Sequence, residues 1–168
     1  MLKMDGVYVF QDGKYQGWLS EQSIPGLRWV EPQTQRSPLI IRKNGKPQVS
    51  LSLENPKIQI VPNVKGKDVT FTVDVMLTGV VSEVIQPMSE RLMEDKGAEQ
   101  VRKEIRQTFE NGLEIQSDLL QLNYTLYRKQ NKEWKKIYAE KDFKLTKDSL
   151  QEIKVSLKLN NGGKLKVP

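Results

Sequence analysis

No histidine and no cysteine occur in the 168 residues of this chain. The first absence removes the side chain that most often moves protons near neutral pH, and with it the commonest metal ligand. The second removes thiolate nucleophiles, disulfide staples and the usual structural zinc site. Long hydrophobic runs are missing too, since no stretch approaches the roughly 20 apolar residues that span a bilayer. The opening Met1-Leu2-Lys3-Met4-Asp5 lacks an apolar centre long enough for a signal peptide. The chain therefore reads either as cytosolic or as an excerpt separated from its targeting segment. Lack of cysteine leaves the compartment open, because exported domains also manage without disulfides. Phosphate-cradling glycine patterns are absent as well: Gly13, Gly17 and Gly26 do not space as G-x-G-x-x-G.

What remains is enough for one domain with a substantial core. The residues are 37% hydrophobic and 29% charged, with a mean hydropathy of −0.59, so the surface should be well solvated. Twenty-seven Lys and Arg face 21 Asp and Glu, a net charge of +6. That balance permits an acidic protein, anionic lipid headgroups or nucleic acid as partner, and equally a plain solvated surface.

The apolar residues are periodic. Val7-Tyr8-Val9-Phe10 reads as a strand, Gln11-Asp12-Gly13-Lys14 as a turn, and residues 15–19 as the returning strand. Ser20 stands at a helix N-cap position, while Pro25 and Gly26 limit any helix that follows. Residues 31–38 are polar and proline-interrupted, which predicts a loop. Past the turn-like Asn44-Gly45-Lys46-Pro47, Val49, Leu51 and Leu53 alternate with polar residues as in a half-buried strand. Beyond Asn55-Pro56 the apolar positions become Ile58 and Ile60, so a bulge or an edge position near Pro56 is needed to restore one buried face. Residues 62–67 read as a connection to the clearest strand, whose Val69, Phe71, Val73, Val75 and Leu77 share a face. A third alternating run comprises Ile153, Val155, Leu157 and Leu159. Its cover is a helical stripe over 98–126, with Val101, Ile105, Phe109, Gly112, Ile115, Leu119, Leu122 and Leu126 at helical spacing. Glu99–Lys103 and Arg106–Glu110 suit solvent-side pairs, and Gly112 marks a close approach to the sheet or a bend. Residues 161–168 read as a frayed tail. The fold class is α+β, a mostly antiparallel sheet with one long helix and shorter helices packed on one face.

Carboxylates are the remaining acid–base candidates. Asp68 and Asp74 share a strand face but lie about 20 Å apart along it, too far for paired-carboxylate hydrolysis, which needs about 5 to 9.5 Å. Lys132-Glu133-Trp134-Lys135-Lys136-Ile137-Tyr138 interleaves charge and rings. This fits inward packing of Trp134, Ile137 and Tyr138 with Lys135 and Lys136 wet; protein, nucleic-acid or lipid-headgroup contact also fits. Trp18 with its neighbour Leu19, and Trp29, are anchors either of the core or of an interface. No catalytic, cofactor-binding or metal-ligating residue is assigned, and no cofactor is expected.

Several of these stretches carry a resemblance. Val9-Phe10-Gln11-Asp12-Gly13-Lys14, Gly17-Trp18-Leu19-Ser20-Glu21 and Gly26-Leu27-Arg28-Trp29 resemble the C-terminal domain of the spore germination Ger(x)C lipoproteins, the C subunits of nutrient germinant receptors. Residues 104–116, Asp118, Tyr127-Arg128-Lys129, Glu133-Trp134-Lys135-Lys136 and the strand at 153–159 extend it over nearly the whole chain. Gln130-Asn131 stands where that family usually has an aromatic–Pro pair. The resemblance implies a single C-terminal domain over 1–168, excised from a longer lipoprotein. It further implies a non-enzymatic receptor subunit, lipid-anchored on the extracytoplasmic face of the spore inner membrane. Its partners would be two integral-membrane subunits; Lys135 and Lys136 allow anionic lipid headgroups as a further contact, and nucleic acid is not expected. The alternative reading is a basic domain for nucleic acid or an anionic surface.

Overall fold

The structure, a computed structural model, describes residues 5–139 and 143–160. The sequence expectations for Met1–Met4 and for the 161–168 tail lie outside the described residues. Strands β1 (Gly6–Gln11) and β2 (Lys14–Ser20) form a two-stranded antiparallel hairpin. Asp12 and Gly13 both have positive φ, 52° and 75°, the two-residue turn whose twist matches the flanking strands. Asn44 and Gly45 repeat this geometry between β3 (Arg36–Lys43) and β4 (Lys46–Lys65).

β3 begins earlier than the expected end of the loop, taking in Ser37 and Pro38. It is an edge strand, so the missing N–H of Pro38 leaves no ladder bond unmade. β4 also outruns expectation. It continues through Pro62 to Lys65, paired along its length with β5 (Asp68–Val84). The parity change at Asn55-Pro56 is a bulge: the register shifts between Glu54 and Lys57, and Asn55 adopts φ 54°. Val49, Leu51 and Leu53 before it, and Ile58 and Ile60 after it, thereby face the same core.

The main sheet has the order β3-β4-β5-β6, where β6 is Leu150–Leu159. Three strands are antiparallel, and β6 runs parallel to β5 because the chain crosses back through helices before adding it. The first of these helices, α2 (Glu90–Glu114), starts at Ser89, whose hydroxyl accepts from the Leu92 amide at 3.4 Å. Its buried stripe of Met93, Val101, Ile105 and Phe109 shares one core with Leu51, Phe71 and Val73. Gly97 allows close approach, since a Cβ there would lie 2.6 Å from Leu157 Cδ2. Glu99 pairs with Lys103 at 2.7 Å as expected. Arg106 instead donates to the Leu150 carbonyl (2.6 Å), as Arg102 does to that of Ile153 (3.0 Å), so two arginines dress the β6 edge.

The 98–126 stripe is not one helix. At its C-terminus Gln116 turns left-handed (φ 55°), its amide reaching the Leu113 carbonyl at 3.0 Å and that of Ser117 the Gly112 carbonyl at 2.8 Å. This is the two-bond cap that ends helices. Gly112 therefore marks the helix end, with Leu119 folded against it, and not an approach to the sheet. The chain restarts as α3 (Leu122–Lys129) and α4 (Asn131–Ala139). Among the described residues no helix is long and apolar enough to cross a membrane.

Candidate interaction surfaces

The two glycine-flanked tryptophans have opposite fates. Trp29 lies in the short helix α1 (Leu27–Val30) and is 1% exposed. Its indole Nε1 donates to Glu104 Oε2 at 2.6 Å, and Arg28 reaches the same oxygen at 3.1 Å. The Gly26 amide donates to Thr108 Oγ1 at 2.8 Å, and Asn111 donates to the Ser23 carbonyl at 2.7 Å. Gly26 itself must be glycine, because a Cβ would fall 2.4 Å from the Glu104 carbonyl oxygen. Residues 23–29 are thus stitched along α2, and Trp29 belongs to the core, not to an interface.

Trp18 faces out, while its neighbour Leu19 turns inward and is buried. The hairpin register sets Trp18 opposite Tyr8, and Phe10 opposite Tyr15. The exposures of Tyr8, Phe10, Tyr15 and Trp18 are 70%, 65%, 56% and 47%. Their rings form a platform, with Tyr15 centred 6.3 Å from Tyr8 and 5.7 Å from Phe10. The Trp18 ring lies across the Gly6 backbone, where a Cβ would meet it at 2.7 Å. On the opposite face Gly17 meets Ile115, and Gln11 accepts from the Asp118 amide at 3.2 Å. One hairpin face is therefore held by the body and the other is open. Sequence reading missed Tyr8, Phe10 and Tyr15; the two-residue turn at Asp12-Gly13 was the signal that places them beside Trp18.

The second surface is the α3–α4 pair. Asp118 nucleates it: its carboxylate accepts from the Leu122 and Asn123 amides at 3.0 and 2.7 Å. Burial pushes its pKa up despite these bonds, which pull the other way. Trp134 is half-buried and joins a run of rings, edge-on to Tyr127 at 5.0 Å and stacked on Tyr138 at 4.4 Å. Tyr138 is exposed, in contrast to the inward packing expected of it. Partial burial raises its pKa, as do the Asp118 and Asp12 carboxylates, so it stays a neutral phenol. Lys135 and Lys136 are exposed, and Lys136 pairs with Glu133 at 3.2 Å.

Lys136 and Glu133 also line a cleft of about 660 Å³ with Asp68, Ile137 and Phe143. Asp74 lies elsewhere, on the uncovered sheet face between Gln59 and Lys154. The two carboxylates are not brought together.

No curated protein matches the chain. A solved structure described as the crystal structure of the GerBC protein aligns with a TM-score of 0.74 at 19% identity. The alignment covers 93% of this chain and 50% of that one, so the chain spans half the length of the solved protein. At that identity the likeness establishes the fold. A family model described as "Spore germination B3/ GerAC like, C-terminal" matches residues 5–163. The chain belongs to this spore germination family, whose C-terminal region it matches over nearly its whole length.

Proposed function

We propose that the domain works by docking, as the C-terminal part of a lipid-anchored receptor subunit that joins two integral-membrane subunits and couples nutrient sensing to germination. The hairpin platform carries this reading. Four large exposed rings on one open hairpin face are what a protein interface uses as anchors, since Trp and Tyr supply most of the binding energy at such surfaces. A solvated hairpin gains nothing from keeping them wet. Family membership supports the receptor assignment, and the chain's coverage of half a longer relative supports its place as one domain of a larger subunit. On this reading the domain performs no chemistry of its own and sits on the extracytoplasmic face of the spore inner membrane.

The test is co-purification of the receptor complex carrying Trp18→Ala or Tyr8→Ser/Trp18→Ala in this subunit. Assembly should fall by an order of magnitude or more, about 1.4 kcal/mol or above, while the isolated domain keeps its cooperative unfolding. Full assembly by the double variant would refute the reading.

A further inference from the structure

The second aromatic surface is also basic. Between Tyr124 and Tyr138 there are five cations, Arg128, Lys129, Lys132, Lys135 and Lys136, against the single carboxylate of Glu133. That segment carries a net charge of +4. All five cations are exposed, and so are the three tyrosines Tyr124, Tyr127 and Tyr138. Lys129 is engaged with the Ile60 carbonyl at 2.7 Å and Lys136 with Glu133. Arg128 lies over the Tyr124 ring at 5.8 Å. Lys132 and Lys135 have no ion-pair partner among the described residues.

We propose that the outer surface of α3 and α4 docks on an anionic phospholipid bilayer, tyrosine phenols at headgroup level and the cations against lipid phosphates. Tyrosine suits this depth because one end is apolar and the other hydrogen-bonds water or headgroups. Lysine suits it because its stem lies along apolar surface while its ammonium reaches phosphate. The ring geometry favours lipid over nucleic acid. A base needs an open ring face to stack on, but one face of Trp134 is covered by Tyr138 and Tyr127 meets the same indole edge-on. The charge favours lipid over a protein partner, since lysine is depleted from protein interface cores. None of these residues belongs to the hairpin platform, and the inference does not depend on the docking reading.

Flotation of the purified chain with vesicles tests it without any sister subunit. Vesicles of equal parts phosphatidylglycerol and phosphatidylcholine should carry the protein at low salt and release it at high salt, and pure phosphatidylcholine vesicles should not carry it. Each free cation near an anionic surface contributes about fivefold in affinity. Arg128→Gln/Lys132→Gln/Lys135→Gln should therefore bind roughly 100-fold more weakly, with an unchanged circular dichroism melt. If that variant does not fold, Tyr124→Ser, which alters one exposed ring, and the salt dependence of the unaltered chain give the same decision. Binding to neutral vesicles as tight as to anionic ones, undiminished binding by the triple variant, or no binding at all would overturn the proposal. So would displacement from vesicles by a short DNA duplex at equal charge concentration, which would assign the surface to nucleic acid.

Discussion

Trp29 and Trp18 make a matched experiment in what a tryptophan contributes from inside and outside a fold. Trp29→Ala removes a side chain that is 1% exposed and packed in the main core. Emptying such a site costs about 3–5 kcal/mol in lost transfer energy and residual cavity. The deletion also takes the 2.6 Å donor away from Glu104, leaving that carboxylate to Arg28 and Gln100. A hydrogen bond to a charged group adds about 1.5–3 kcal/mol, partly recovered by water. The total, about 4–6 kcal/mol, approaches the whole stability of an ordinary domain, about 5–15 kcal/mol. Trp29→Phe separates the two contributions, since it keeps most of the ring and loses only the donor; it should cost about 2–3 kcal/mol. Trp18→Ala uncovers only the part of the indole lying on Gly6, so about 1–2 kcal/mol is expected from the area involved. Urea denaturation followed by far-UV circular dichroism reads all three. A loss below about 1 kcal/mol for Trp29→Ala, or a Trp18→Ala variant less stable than Trp29→Ala, would refute the reasoning.

Two glycines should respond differently to alanine. At Gly26 the new methyl would press on the Glu104 carbonyl oxygen and Ile105 Cα, both backbone atoms of α2 that cannot yield, so Gly26→Ala should lose about 1–3 kcal/mol. At Gly97 the obstacle is the end of the Leu157 side chain, and about 1 kcal/mol of helix propensity offsets the crowding, leaving Gly97→Ala near neutral in the same urea assay. Asp118 holds its proton more tightly in the folded chain than its ordinary value of 3.8. Its contribution is therefore full below that value and is lost as pH rises through the raised folded pKa, so Asp118→Asn should flatten the stability–pH curve in that window. Chemical unfolding at stepped pH checks this; an unchanged slope counts against it. Finally, Arg102→Ala/Arg106→Ala removes two side chains from the β6 edge and should cost about 1 kcal/mol each, half-exposed as they are. Concentration-dependent association of this variant in size-exclusion chromatography would report the uncovered edge.

The strands were legible because alternation has a period that little else mimics, and even the β4 bulge announced itself when apolar parity changed across Asn55-Pro56. The break in the long helix was hidden for an equally physical reason. Its left-handed cap residue is Gln116 and not glycine, and Leu119, Leu122 and Leu126 keep the helical spacing on the far side of the turn. Strand direction was hidden too: Ile153, Val155, Leu157 and Leu159 alternate identically whether β6 runs with β5 or against it. For the surfaces the limit was tertiary. Trp18 and Trp29 sit in similar local sequence, and what separates them is Glu104, 75 residues from Trp29. In β1 the Val7-Tyr8-Val9-Phe10 run has two apolar faces, so composition alone could not say which one the body would cover.

The division of aromatics between core and surface follows from what each ring must satisfy. Trp29, Phe71 and Phe109 fill the interior, where a phenylalanine needs no partner and the one indole has Glu104. All five tyrosines are exposed, grouped on the hairpin and on α3–α4. Burying a phenol demands a hydrogen-bond partner, so keeping tyrosine outside spares the core a polar debt. It leaves rings in water, though, and that cost recurs at two separate places on a domain otherwise rich in charge. Chance exposure would scatter single rings. Two clusters, one with few charges and one bordered by five cations, instead argue for two contacts of different chemistry that variants at Trp18 and at Lys135 can remove independently.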